Sequence, residues 1–312
     1  MQPKTLKILC LDGGGSKGIY TLGVLSELEK ALGKKMYEYF DLIFGTSTGA
    51  IITSMLGLGY SITEIEKQYR LLVPKIMGMS GQKNKSNKLH ELGKEIFGDR
   101  KFNDFKTGIG IVAMNYDTHQ PLIFKNTVER AHGVKASFEP GFGLSISDAV
   151  EASCAACPIF CKKVLNTTNK GTITAIDGGF IANNPTLFAL IDATKALKYS
   201  VEDIRILSIG VGSYIEKPIN RKLTFLSKIE MAQIASKVLI ASSNTTEVVT
   251  KLLFPDLIIE RVNDSFPEPQ YGTNMVERDK NKLDKMFQLG IGSYAKHEKQ
   301  ITAVLNLQMI EK

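Results

Sequence analysis

The chain has 312 residues, of which 43% are hydrophobic and 23% charged. That balance supports a sizeable core and excludes a mainly disordered chain; with 27 glycines and 4 cysteines it also excludes collagen-like and disulfide-scaffold classes. Its 39 basic and 32 acidic residues give a net charge of +7, a mild basicity that suits a lipid surface or a nucleotide and is equally ordinary for a solvated protein.

The opening Met1-Gln2-Pro3-Lys4-Thr5 lacks a charged region followed by an apolar run and a cleavage site, so no secretory signal is expected. Leu42–Thr63 holds no charged residue over 22 positions, long enough to span a bilayer. Its glycines, serines and threonines argue instead for a buried strand, a turn and a buried helix, and a soluble cytoplasmic protein is expected.

Apolar runs alternate between strand-like and helix-like spacing, which predicts an α/β fold with a mainly parallel sheet. Leu6–Leu11 reads as a strand and Gly13–Gly18 as a glycine-rich turn. Ile19–Leu32 reads as a helix stopped by Gly33. Phe40–Phe44 is a second strand, Gly45–Gly49 a tight turn, and Thr48–Leu58 a helix. Ser61-Ile62-Thr63-Glu64 is a capping box opening a helix to about Met77. Lys75–Lys106 carries 8 basic and 4 acidic residues; a loop over Gly78–Lys88 and a short helix at Leu89–Phe97 are expected, the loop being either solvated or a lid. Strands follow at Gly108–Asn115 and Leu122–Lys125, then a helix near Ser147–Cys157. Lys163–Leu165 and Thr172–Ile176 are strands flanking the turn Asn166–Gly171. Ile204–Val211 is a further buried strand. Beyond Asn220 the pattern is mostly helical with one strand-like piece, Leu257–Val262, and this C-terminal third is expected to pack on the main sheet.

Cys154 and Cys157 form a C-x-x-C, which raises a metal or redox reading. A structural zinc site wants four ligands and nothing nearby supplies the rest. The Ala-rich surroundings read as a tightly packed helix ended by Pro158, with buried structural thiols at Cys10, Cys154, Cys157 and Cys161. No metal is implied.

Three motifs carry chemistry. Asp12-Gly13-Gly14-Gly15-Ser16-Lys17-Gly18 follows a strand and precedes a helix. Alone it also fits a dinucleotide-binding turn, but that requires an acidic residue at the end of the second strand, where Gly45-Thr46-Ser47 stands; Asp41 lies at that strand's beginning. Gly45-Thr46-Ser47-Thr48-Gly49 is a G-x-S-x-G between strand and helix, the context of a nucleophile elbow. Ser47 would then face developing charge from a helix N-terminus. The glycines at 13, 14 and 15 expose backbone N–H groups for an oxyanion, each donor being worth ~3–4 kcal/mol in the transition state; Lys17 would add charge there. For a base, His90, His119, His132 and His297 lie in no strand-end context, whereas Asp177 ends a strand and precedes Gly178-Gly179. Burial would raise its pKa from about 3.9 towards a usable range, so a Ser–Asp dyad is workable chemistry.

These three motifs, in this order and spacing, resemble the patatin-like phospholipase family over roughly residues 6–215. The resemblance implies a patatin-like three-layer fold, a central mainly parallel sheet flanked by helices with a helical C-terminal region, forming one domain over 1–312 with a catalytic core at about 6–215 and an extension at about 220–312. It implies a lipid acyl hydrolase without cofactor or metal. By position, Ser47 is the nucleophile, Asp177 the base, and Gly13, Gly14 and Gly15 the oxyanion hole, with Asp12, Lys17, Gly18, Gly45, Gly49, Gly178 and Gly179 supporting them. Ala152-Ser153-Cys154-Ala155-Ala156 resembles a family helix packed under the site. Lys17 stands where many members carry Arg, and Cys157 where a small residue or Pro is commoner. The Gly108–Asn115 segment and the Asp264–Leu289 tail further resemble bacterial patatin-like effectors of cyclic-nucleotide antiphage (CBASS-type) systems. That resemblance implies a cyclic dinucleotide activator, membrane phospholipid as substrate, peripheral contact with the inner membrane surface, room for a homo-oligomer, and no nucleic acid partner. A constitutive lipid hydrolase and a non-catalytic dinucleotide-binding module are the alternatives.

Overall fold

A computed structural model describes residues 5–133, 135–215 and 226–307, apart from the side chains of 226–233 and 235. The opening Met1–Lys4 and the stretch just after Asn220 lie outside the described residues. In chain order the elements are β1 (Leu6–Leu11), α1 (Gly18–Leu32), α2 (Met36–Tyr39), β2 (Leu42–Thr46), α3 (Thr48–Leu58), α4 (Ile62–Gly78), α5 (Gln82–Phe97), β3 (Gly108–Asn115) and β4 (Pro121–Lys125). There follow α6 (Ile146–Ser153), β5 (Lys163–Thr167), β6 (Gly171–Asp177), α7 (Gly179–Ala182), α8 (Thr186–Ile191), β7 (Ile204–Ile209), β8 (Ser213–Tyr214), α9 (Leu226–Leu253), β9 (Ile258–Val262), β10 (Ser265–Phe266) and α10 (Lys280–Leu305).

The main sheet runs β5-β6-β3-β2-β1-β7-β9, with β4 also on β3. Its centre is parallel, from β3 through β2, β1 and β7 to β9. The β4, β5 and β6 pairings are antiparallel. β1 shows why the layers number three. Leu9 and Leu11 join the core shared with α1, α3 and α10, while Leu6, Ile8 and Cys10 pack with Ala189 and Leu190 of α8 and with Ala193 just beyond it. A strand buried on both faces needs an unbroken apolar run, and Leu6–Leu11 supplies one. The uncharged Leu42–Thr63 becomes β2, α3 and the start of α4, and no described helix is long and apolar enough to cross a membrane.

The C-terminal third packs as expected. β9 extends the sheet beside β7, and α10 crosses α1 so closely that a Cβ on Gly23 or Gly290 would overlap the opposing backbone. Three expectations need correction. Gly78–Lys88 is no loop: α5 starts at Gln82, after a turn at Gly81 (φ 77°). Lys85 reaches back to the Met77 and Met79 carbonyls and closes the end of α4. The helix near Ser147–Cys157 stops at Ser153, because the Ser153 and Ala155 carbonyls accept from Gly178 and Asp177 rather than from the next helical turn. Finally, only Cys10 and Cys154 are buried; Cys157 and Cys161 are exposed, and all four are free thiols.

Candidate active site

Ser47 sits between β2 and α3 with φ 53° and ψ −120°. A non-glycine residue held there stores roughly 1–3 kcal/mol of backbone strain. The surroundings fix it. Its N–H donates to Ser153 Oγ at 2.8 Å, and that hydroxyl donates in turn to the Val112 carbonyl at 2.5 Å. The Ser47 carbonyl accepts from Ala50 and Ile51 in the first turn of α3. Gly45 and Gly49 are required by contact: a Cβ on Gly45 would overlap the Gly49 carbonyl, and one on Gly49 the Leu11 carbonyl.

Asp177 reaches Ser47 by an indirect route. β6 runs antiparallel to β3 and pairs Asp177 with Ala113. β3 overshoots β2, whose last residue Thr46 pairs with Val112. β6 therefore descends from the overhang and ends level with the elbow. Ser47 Oγ donates to Asp177 Oδ2 at 2.7 Å, and Gly179 N–H donates to Oδ1 at 2.7 Å. Asp177 is 1% exposed. Burial pushes its pKa up from 3.8 to about 6, and the two hydrogen bonds hold it from rising further. At neutral pH it is an ionised carboxylate poised to take a proton. Gly178 is packed on the Val112 carbonyl and has no space for a side chain.

The glycine turn lies across from the dyad. Gly13 does not serve as expected, because its N–H is committed to the Asn183 carbonyl at 3.1 Å. Gly14 and Gly15 line the cavity beside Ser47, and among the described residues nothing accepts from their N–H groups. Gly15 adopts φ 58°, and Tyr69 Oη donates to its carbonyl at 2.5 Å, fixing the peptide's orientation. Gly18 has no room for a Cβ beside Thr48 and Tyr69. Asp12 does not face the cavity; it forms a buried two-pronged pair with Arg261 at 2.7 and 2.5 Å and accepts from Ser243 at 2.9 Å. Lys17 is buried and lines an adjoining polar cavity of about 200 Å³, with Asn183, Ser213, Asn244 and Asn263.

The cavity over Ser47 is narrow, with a volume of about 60 Å³. Ile51, Val73, Ile76, Met77, Leu89 and Phe160 give it an apolar wall. Such a wall suits an acyl chain. Met275 and Leu239 close the side nearest the glycine turn, and the Met275 carbonyl accepts from Ser16 N–H. Sequence reasoning missed Tyr69, Leu239, Arg261 and Met275, none of which lies in a motif. Ser153 was placed under the site, but not its bond to the elbow. The histidines stay apart from the dyad: His90 pairs with Glu151, His132 with Asp192, and His297 with Glu260 and Asp264. No metal-binding group of His, Cys, Asp and Glu occurs among the described residues.

A half-buried serine bonded to a buried carboxylate under an apolar cavity, at the rim of a three-layer α/β sandwich, defines a serine hydrolase of the acyl-ester type. The family profile described as patatin-like phospholipase matches residues 9–190, and the chain belongs to that family; it is a hydrolase of the phospholipase class. A relative from Escherichia coli named cUMP-AMP-activated phospholipase is 43% identical over 299 residues, covering 96% of this chain and 93% of that one. A cGAMP-activated phospholipase from Escherichia coli strain TW11681 is 30% identical over 232 residues, covering 66% and 62%. Human GIVD cytosolic phospholipase A2 aligns in structure with a TM-score of 0.49 and 9% identity, covering 97% of this chain and 62% of that one.

Proposed function

We propose that this protein hydrolyses fatty-acyl esters of membrane glycerophospholipids through a Ser47–Asp177 dyad, and that a cyclic dinucleotide switches it on as an antiphage effector. The observation that carries the chemistry is the 2.7 Å bond from Ser47 Oγ to a buried carboxylate. Asp177 takes the hydroxyl proton as Ser47 Oγ attacks the ester carbonyl carbon. The Gly14 and Gly15 N–H groups, with the start of α3, face the oxyanion. The C–O bond to the glycerol breaks, Asp177 returns the proton to the departing alkoxide, and an acyl-enzyme remains. Water, deprotonated by the same carboxylate, then releases the fatty acid. No histidine is needed, because burial brings the carboxylate's pKa within reach of neutral pH.

Control by a cyclic dinucleotide rests on the relatives' names and on the extent of the alignment to the cUMP-AMP-activated enzyme, which spans nearly the whole chain. The C-terminal extension is read as part of the same catalytic unit, since Leu239 and Met275 line the cavity. A peripheral stance on the inner membrane surface is supported by Ile234, Val238, Val248 and Leu252, apolar residues exposed along α9.

The test is fatty-acid release from phosphatidylglycerol vesicles by the wild type and Ser47→Ala, with and without cUMP-AMP and cGAMP. Release by the wild type only, and only with a nucleotide, is expected. Equal release without nucleotide overturns the switch; release by Ser47→Ala overturns the dyad.

A further inference from the structure

A second built site lies away from Ser47, where β4 and the segment before α6 border an open cavity of about 370 Å³. Lys125, Arg130, His132 and Lys170 line it together with Phe138 and Phe142. Arg130 is 1% exposed, yet its Nη1 has no hydrogen-bond partner among the described residues. Its Nη2 is used, donating to the Ile109 carbonyl at 2.8 Å and to Asn126. One buried carboxylate, Asp192, serves Lys125, Arg130 and His132. Its Oδ1 accepts from Lys125 at 2.5 Å and meets His132 Nε2 at 2.8 Å, while Oδ2 stands 3.7 Å from Arg130 Nη1 and accepts no hydrogen bond among the described residues. Burial lowers Arg130 only to about 10, so it is charged at neutral pH. The other nearby carboxylates, Glu129 and Glu139, are exposed and screened by water.

Arg130 Nη1 and Asp192 Oδ2 form an ion pair across 3.7 Å that leaves Nη1 without a hydrogen bond; a buried charged donor in that state costs free energy, and an anion entering the cavity supplies the missing acceptor. Phosphate suits the lining: the Arg130 guanidinium, the Lys125 and Lys170 ammonium groups and the His132 imidazole all border the cavity. The aromatic side chains add a second specification. Phe138 and Phe142 are half-buried, and the Lys170 ammonium lies 4.6 Å from the Phe142 ring centre. Rings beside cations are how proteins hold a base next to its phosphate. The geometry points to this cavity as a binding site for a phosphate-bearing nucleotide, and as the place where the cyclic dinucleotide of the proposed switch acts.

The route to the dyad is short. The segment carrying Phe138 and Phe142 runs into Ser145, the N-cap of α6, and α6 ends at Ser153, whose hydroxyl holds the Ser47 N–H. Eight helical residues span about 12 Å. A ligand that draws Phe142 and Arg130 inward acts on both ends of that path, since Arg130 also bonds β3 at Ile109, three residues before Val112.

The assignment of the cavity to the activator rests on the proposed nucleotide control, and the experiment separates the two. The full chain is titrated with cUMP-AMP by calorimetry, and with inorganic pyrophosphate and phosphatidylglycerol vesicles as separate arms. The variants are Lys170→Glu and Phe142→Ala; the buried Arg130 is left in place to preserve the fold, and unshifted melting temperatures confirm it. Each variant is expected to weaken cUMP-AMP binding about tenfold or more and to raise the half-activating concentration equally. Wild-type affinity for cUMP-AMP in both variants overturns the site while the switch stands. If cUMP-AMP neither binds nor activates the wild type, the switch falls. Pyrophosphate binding that Lys170→Glu abolishes then keeps the cavity as a phosphate site, and binding it leaves intact removes that as well. Loss of vesicle binding alone assigns a lipid phosphate here and overturns the nucleotide.

Discussion

Replacing Asp177 by Asn is expected to destroy activity and to stabilise the fold. The carboxylate is buried, and its pKa rises from 3.8 to about 6 on folding. Between those values the folded chain holds a proton that the unfolded chain has released, so stability falls as pH climbs through that window and stays lower above about pH 6. A shift of about two units corresponds to about 3 kcal/mol at neutral pH. Asn removes this cost and keeps the bonds. Its Oδ1 can still accept from Gly179 N–H, and its amide can donate to Ser47 Oγ. The expectation is a melting temperature raised by roughly 5 °C at pH 8, a gain that vanishes near pH 4. Activity falls by about 100- to 10,000-fold, the usual contribution of a general base. Scanning calorimetry at both pH values, alongside ester hydrolysis, makes the measurement. A variant less stable than the wild type at pH 8, or one retaining activity, refutes the reasoning.

Four further outcomes follow from the same geometry. With a soluble short-chain ester, kcat/KM should rise about tenfold per pH unit up to about pH 6 and level off above it; a flat profile from pH 5 to 8 contradicts Asp177 as base. Ser153→Ala strips the acceptor from the Ser47 N–H and the donor from the Val112 carbonyl, so chemical denaturation should show a loss of about 1–3 kcal/mol and kcat should drop with KM nearly unchanged. Gly45→Ala drives a Cβ into the Gly49 carbonyl and should cost about 1–3 kcal/mol or more, with loss of activity. Asp12→Ala leaves the Arg261 guanidinium buried without its two-pronged partner, a loss of about 3–5 kcal/mol by denaturant titration; a neutral result would show that Arg261 finds another acceptor.

Much of this arrangement was legible in the sequence because glycine and apolar patterning report backbone needs directly. β1, α1 with its Gly33 stop, and α3 follow from local spacing and caps. The elbow was legible because only Gly tolerates the contacts at 45 and 49. The start of α5 was not, since a polar Gly/Ser/Lys-rich stretch carries no apolar period until Leu89, and the helix is held instead by long-range bonds such as Gln82 to the Pro158 carbonyl. Gly13 was assigned to the oxyanion turn because a motif shows where N–H groups lie but not which of them a distant carbonyl has claimed; here Asn183 claims it. Arg261 and Met275 reach the site from more than 200 residues away in sequence, a distance at which neither spacing nor composition leaves a trace.

The most direct test of the dyad is labelling with a fluorophosphonate probe followed by peptide mass spectrometry. Ser47 should be the modified residue at pH 8, with labelling strongly reduced in Asp177→Asn and fading in the wild type as pH falls below about 6. Modification of another serine, or equal labelling of Ser47 without the Asp177 carboxylate, would contradict the account.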